Sequence, residues 1–171
     1  PYEVVECKEH LELAQEAARK SCVLLKNDGL LPLDPDKVGT IGVIGPNANS
    51  RVALIGNYHG TASRYVTVLE GIQDAVAGKG RVLYSEGCHL FKDKTEPLAW
   101  DDDRISEAVV VAKRSDKVVL VLGLDETLEG EEGDTGNAAA SGDKLDLLLP
   151  APQRRLMDAV LKLNKPSVII L

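Results

Sequence analysis

The stretch from Gly123 to Asp134 holds the densest collection of groups in this chain that can move a proton. Asp125, Glu126, Glu129, Glu131, Glu132 and Asp134 fall within it, punctuated by Gly130 and Gly133. Crowded carboxylates repel one another, and one of them is pushed toward its protonated form. A carboxyl that keeps its proton near neutrality is what a general acid needs. An acidic run also serves as a solvated loop or a weak cation site, so composition leaves these readings side by side. A calcium loop alternates Asp or Asn ligands around a glycine and closes on a bidentate Glu. The stretch does not follow that pattern.

The acidic stretch needs elements to position it. It follows directly on Lys117-Val118-Val119-Leu120-Val121-Leu122, a nearly unbroken apolar run. Such a run predicts a strand buried on both faces of a parallel sheet. In open α/β sheets the chemistry sits outside the carboxyl ends of the strands, which is where the acids would stand. Further strands are predicted at Val38 to Ile44, Arg81 to Tyr84 and Ser167 to Leu171, with a β-like run at Ser21 to Lys26. Helical spacing runs from His10 to about Lys20, with Leu11, Ala14, Ala17 and Ala18 on it. Thr67 predicts an N-cap for a helix carrying Leu69, Ile72 and Val76, closed by Gly78 and Gly80. A third helix is expected from Arg104 to Arg114. A fourth starts at Pro152 and presents Leu156, Val160 and Leu163. Asn27-Asp28-Gly29 and Asp34-Pro35-Asp36 read as turns. Strands that alternate with helices imply parallel pairing and a layered α/β sheet.

The remaining composition narrows the function classes. With 171 residues and 44% hydrophobic side chains the chain can build one core. A net charge of −7 argues against nucleic acid or an anionic membrane as partner. No apolar run is long enough to span a bilayer. Gly45-Pro46-Asn47-Ala48-Asn49-Ser50 is not a GxGxxG fingerprint and no phosphate loop occurs, so no nucleotide cofactor is expected. Cys7, Cys22 and Cys88, like His10, His59 and His89, show no metal-ligand spacing, so no metal is expected. Cys22 lies in an apolar stretch and is predicted to pack as a small hydrophobe. Unpaired cysteines predict a reducing compartment, the cytoplasm. A chain that opens without Met can have lost a signal, which leaves a secreted or periplasmic route open.

Several separated motifs resemble the second domain of family 3 glycoside hydrolases. They are Ser21-Cys22-Val23-Leu24-Leu25-Lys26-Asn27-Asp28-Gly29-Leu30-Leu31-Pro32-Leu33, Ile41-Gly42-Val43-Ile44-Gly45-Pro46-Asn47-Ala48 and Gly56-Asn57-Tyr58-His59-Gly60. The segment Thr67 to Ile72, Gly123-Leu124-Asp125-Glu126-Thr127, and Asp146-Leu147-Leu148-Leu149-Pro150 with Gln153 complete the set. The resemblance covers nearly the whole chain, in order. It implies an α/β fold, a layered αβα sandwich with a mostly parallel sheet, flavodoxin-like in outline. It makes residues 1–171 a single such domain, partial at its C-terminal end. The preceding domain of the family is a (β/α)8 barrel that carries the nucleophilic Asp, and nothing in this chain matches it. The implied activity is retaining exo-hydrolysis of β-glucosides or β-xylosides, with an oligosaccharide or glycoside as substrate and the barrel domain as partner.

Many relatives carry Glu-x-Glu-Gly-x-Asp-Arg in the acidic loop, with the acid/base at the second Glu. Glu129, Glu131 and Asp134 reproduce that spacing, which makes Glu131 the candidate acid/base. Two departures keep Glu132 and Glu129 as rivals: Glu132 stands where the Gly belongs, and no Arg follows Asp134. Asp143-Lys144 can instead correspond to the Asp-Arg pair, which makes Gly133 to Ser141 an insertion. Tyr58, His59 and Arg64 lie in a Gly-flanked loop that can reach sugar hydroxyls or simply form a turn. Trp100 suits either a sugar platform or partial burial against the sheet. The reading from a different class is a non-catalytic α/β module that braces or dimerises a carbohydrate-active enzyme.

Overall fold

The computed structural model describes residues 1–56, 60–94, 96–130 and 144–171. Among the described residues four strands form one sheet: β1 (Thr40–Ile44), β2 (Arg81–Ser85), β3 (Lys117–Val121) and β4 (Ser167–Ile170). Their order is β2-β1-β3-β4, and all three pairings are parallel. The helices are α1 (Lys8–Ser21), α2 (Val68–Ala75), α3 (Asp103–Lys113) and α4 (Ala151–Leu161). The chain moves from β1 outward to β2 and then returns to the other side of β1 as β3. A sheet that reverses in this way has its switch point between β1 and β3, where binding crevices form.

Alternation along the two central strands sends side chains into two separate cores. On one face Ile44, Val118, Leu120 and Leu122 pack with Ala108 and Ala112 of α3 and Leu156 and Val160 of α4. On the other, Ile41, Val43, Val119 and Val121 pack with Leu69 of α2 and with Val76. This is the layered αβα arrangement, and it explains why β1 and β3 read as continuous apolar runs rather than alternating ones. Thr67 caps α2 as its sequence predicts. Its side chain accepts from Glu70 N at 3.2 Å, and the Glu70 carboxylate accepts from Thr67 N at 2.9 Å. This reciprocal box satisfies two of the amides that a helix start leaves unpaired.

The first 34 residues depart from expectation. Helix α1 forms as its spacing predicts, but none of its residues is buried. The β-like run Ser21 to Lys26 is no strand: Ser21 ends α1, and Val23, Leu24 and Leu25 are 78%, 64% and 82% exposed. A β-propensity run becomes a strand only when a neighbouring backbone takes its hydrogen bonds. This run appears in none of the sheet's pairings. Cys22 is likewise exposed at the end of α1, and Cys88 is the cysteine that packs as a small hydrophobe in the core. The turn at Asn27-Asp28-Gly29 does form. Asn27 Oδ1 accepts from Gly29 N and Leu31 N, and Asn27 Nδ2 donates to Leu31 O. Among the described residues Glu6 ties this segment to the β1–α2 connection by accepting from Ser63 N at 2.8 Å.

Gly45 closes β1 with φ at +137°, and a Cβ there would run into the carbonyl oxygen of Val121 on β3. The two central strands approach this closely because nothing projects between them. Gly45→Ala is therefore expected to destabilise the chain by more than about 2 kcal/mol. Thr67→Ala, which removes the cap and the Thr67 Oγ1 hydrogen bond to Asn49 Oδ1, costs about 1–2 kcal/mol. Urea unfolding monitored by circular dichroism measures both, and a Gly45→Ala loss no larger than that of Thr67→Ala would contradict the close approach.

Candidate functional site

The carboxyl edge of the sheet gathers three connections: residues 45–67 after β1, 86–102 after β2 and 122–150 after β3. The last of these begins the acidic loop, and its root is fixed from two directions. Gly123, with φ at +147°, is held by Gln153 of α4, whose side chain is fully buried. Gln153 Oε1 accepts from Gly123 N at 2.9 Å and Gln153 Nε2 donates to Gly123 O at 2.7 Å. The same amide nitrogen donates to Leu90 O at 2.7 Å, in the β2–α3 connection. From the β1 side, Asn47 Nδ2 donates to Leu124 O at 3.0 Å, across the switch point.

Beyond its root the loop folds on itself. Asp125 accepts from both Thr127 N and Thr127 Oγ1 through Oδ1, at 2.9 and 2.6 Å. Its carbonyl accepts from Leu128 N and Glu129 N, both at 3.0 Å. This is an Asx-type turn of the kind that Asp favours. Leu128 points inward and is buried, while Glu129 is exposed. The Glu129 carboxylate accepts from Lys144 N at 3.3 Å, which joins the outgoing and returning arms of the loop. Lys144 in turn bonds the Asp146 carboxylate at 2.8 Å. That hydrogen bond, with a second from Leu148 N, holds the Asp146 carboxyl below its usual range.

The neighbouring 86–102 connection is braced by ion pairs. Arg155 of α4 reaches Asp102 at 2.7 Å and Asp93 at 2.8 Å, and Arg104 pairs with Glu86 at 2.6 Å. His89 Nδ1 accepts from Phe91 N and Lys92 N, so the ring works as a neutral acceptor. Burial, and then the Lys92 charge, lower its pKa, while Glu86 and Asp125 pull it back.

Of the residues singled out from sequence, Glu131, Glu132 and Tyr58 lie outside the described residues, as does His59. Glu129 stands at the neck of the acidic loop. Arg64 is exposed in the β1–α2 connection and pairs with Asp74 of α2 at 3.8 Å, a solvated contact of little energetic weight. Trp100 is 85% exposed and does not pack against the sheet as partial burial would require. Among the described residues no group of three or more His, Cys, Asp or Glu is placed to hold a metal ion. Sequence reasoning gave Gln153 no role of its own. The signal was present: Gln153 shares a helical face with Leu156 and Val160, so a polar side chain stands where the core stripe calls for an apolar one.

The sequence and the fold match a known family. Residues 22–171 match the glycosyl hydrolase family 3 C-terminal domain, and the chain belongs to that family. A β-xylosidase of Formosa agariphila is 36% identical over 170 residues, covering 95% of this chain and 21% of that protein. Beta-D-xylosidase 3 of Arabidopsis thaliana is 38% identical over 160 residues, covering 93% of this chain and 18% of that protein. A solved β-glucosidase from Erythrobacter marinus superposes with a TM-score of 0.78 at 32% identity, covering 98% of this chain and 24% of its own. The chain thus spans about one fifth of the length of the curated relatives it matches.

The cysteines separate by environment. Burial, and then the Glu86 charge, push the Cys88 thiol from 9.0 up to about 12. The folded chain keeps a proton that the unfolded chain releases above about pH 9, so Cys88 makes stability fall as pH rises from 9 toward 12. Comparing denaturation midpoints of the native chain and Cys88→Ala across that range isolates this contribution; parallel curves would remove it. In a thiol-reagent titration Cys22 is expected to react at once and Cys88 only on unfolding.

Proposed function

We propose that this chain supplies the general acid/base to the active site of a retaining exo-β-glycosidase that releases terminal β-linked glucose or xylose. One observation carries the reading. In a chain of this family, the Glu-rich loop leaves the carboxyl end of a central strand beside the switch point, with its root tied to α4 and to the β1–α2 connection. The relatives quoted above are β-xylosidases and a β-glucosidase, which supports the substrate class.

Retaining hydrolysis uses two carboxyl groups about 5–5.5 Å apart. One attacks the anomeric carbon, and the other protonates the departing oxygen and later deprotonates water. In this reading the nucleophilic Asp comes from a (β/α)8 barrel domain of the same enzyme, and the loop after β3 supplies the second group. Glu131 is the acid/base, by its spacing from Glu129 and Asp134. The Glu129 carboxylate already joins the two arms of the loop through Lys144 N, which supports Glu131 and Glu132 over Glu129.

Two measurements test this. The 171-residue chain alone is expected to give no enzymic turnover of aryl β-glucosides or β-xylosides, because one member of the carboxyl pair is missing. In the enzyme that carries this domain, Glu131→Gln is expected to lower kcat/KM for alkyl glycosides by about 10²–10⁴. Dinitrophenyl glycosides need no proton in the first step and still form the glycosyl-enzyme, and azide restores turnover with a β-glycosyl azide as product. The same behaviour at Glu132 instead of Glu131 would move the assignment by one residue. Its absence at Glu129, Glu131 and Glu132 alike would leave a bracing module.

A further inference from the structure

We infer that Gln153 is a positioning residue for the acid/base loop. It sets the direction in which the loop leaves β3, and so decides whether the acid meets the departing oxygen. This rests on the proposed role of the loop and extends it to a helix that carries none of the loop's carboxylates.

The argument starts from chemistry. A side-chain amide offers two acceptor sites and two donors, and burying them unpaired is costly. Gln153 is 0% exposed, yet it sits on the face of α4 that also carries Leu156 and Val160 into the core. Its amide uses both polar atoms on backbone groups. The oxygen takes Gly123 N, and the nitrogen serves Gly123 O and Leu90 O. Both polar groups of one peptide residue are thus bonded by one side chain, which fixes the rotation of the peptide units on either side of Gly123. β3 pairs with β4 as far as Val121, and Leu122 N still bonds Ile170 O at 2.9 Å. Gly123 is therefore the first residue past the sheet, and its φ of +147° turns the chain there. Glu129 stands six positions further on, and Asn47 holds the next residue, Leu124, through its carbonyl, so the direction of the arm is set over two consecutive residues.

The bond to Leu90 O adds a second consequence. It ties the loop root to the 86–102 connection, which Arg155, two positions on in the same helix, also holds through Asp93 and Asp102. One turn of α4 therefore fixes two of the three connections at the carboxyl edge in one frame. A general acid displaced by a fraction of an ångström loses alignment with the oxygen it protonates, while a nucleophile on another domain is untouched.

The test uses the enzyme that carries this domain and a pair of substrates. Gln153→Met keeps the volume and removes all three bonds. Its kcat/KM for an alkyl β-glycoside, which needs the acid, is expected to fall at least about tenfold. For the dinitrophenyl glycoside, which does not, the fall is expected to stay within about threefold. A residue that merely stabilises the fold lowers the active fraction equally for both substrates, so equal losses, or none, overturn the inference. Should Gln153→Met fail to fold, Gln153→Glu at about pH 5 replaces it, because a protonated carboxyl keeps the acceptor and one donor. Its split between the two substrates is then expected to widen as the pH rises and the carboxylate faces two carbonyl oxygens, and an unchanging ratio overturns the inference. Glu129→Gln, Glu131→Gln and Glu132→Gln, run on the same pair, separate the two ideas. If any of them shows the split and the Gln153 variant does not, the positioning role alone falls. If none shows it, the acid-loop reading falls and takes the positioning role with it.

Discussion

Everything at the carboxyl edge depends on how closely β1 and β3 lie together at the centre of the sheet. Both are buried on both faces, and Gly45 lets their backbones meet without a side chain between them. With that contact in place, the β1–α2 connection and the acidic loop emerge side by side. Asn47 can then bridge them through Leu124 O, and α4 can fold back over the end of β3 to present Gln153. Separate the two strands and the acids lose their frame, even though no acid takes part in the contact.

The division of labour follows from where polar groups can be afforded. The central strands carry no functional side chain at all. The connections carry them, and buried or half-buried polar residues at the ends of helices hold those connections in place. Thr67 opens α2, Asp102 precedes α3 with a left-handed φ of 60°, and Gln153 and Arg155 lie in the first turns of α4. A rigid scaffold below and adjustable loops above is the arrangement that open α/β sheets use for binding. Chemical groups can vary along the edge without disturbing either core.

How much of this the sequence disclosed depends on the range of the interaction concerned. The four strands and four helices were legible because period and capping are local. Lys117 to Leu122 read as a doubly buried strand, and Thr67 read as the cap of the helix that carries Leu69, Ile72 and Val76. Ser21 to Lys26 misled because its β-propensity is real but found no partner backbone, and Cys22 went with it. Trp100 misled because a large ring in a polar stretch is expected to find cover. Gln153 was overlooked because its partners lie 30 and 63 positions away. The acidic loop was legible as a cluster of carboxylates and through its resemblance to a family pattern. Where the loop leaves the sheet, at Gly123, a glycine and a distant amide meet.

The β2-β1-β3-β4 order also shapes how such a chain meets the cell as it is made. β1 and β2 leave the ribosome early and can pair, but the other flank of β1 is then an apolar edge with no strand to cover it. It waits until α3 and β3 have been synthesised. At about 5–20 residues per second that interval lasts a few seconds. During it Ile41, Val43 and Ile44 belong to a half-built sheet with open backbone groups, the kind of surface that chaperones bind and that nascent neighbours on a crowded polysome can pair with. Two-sided burial gives the finished sheet its rigidity, and the same feature makes the nascent chain dependent on the order and pace of its translation.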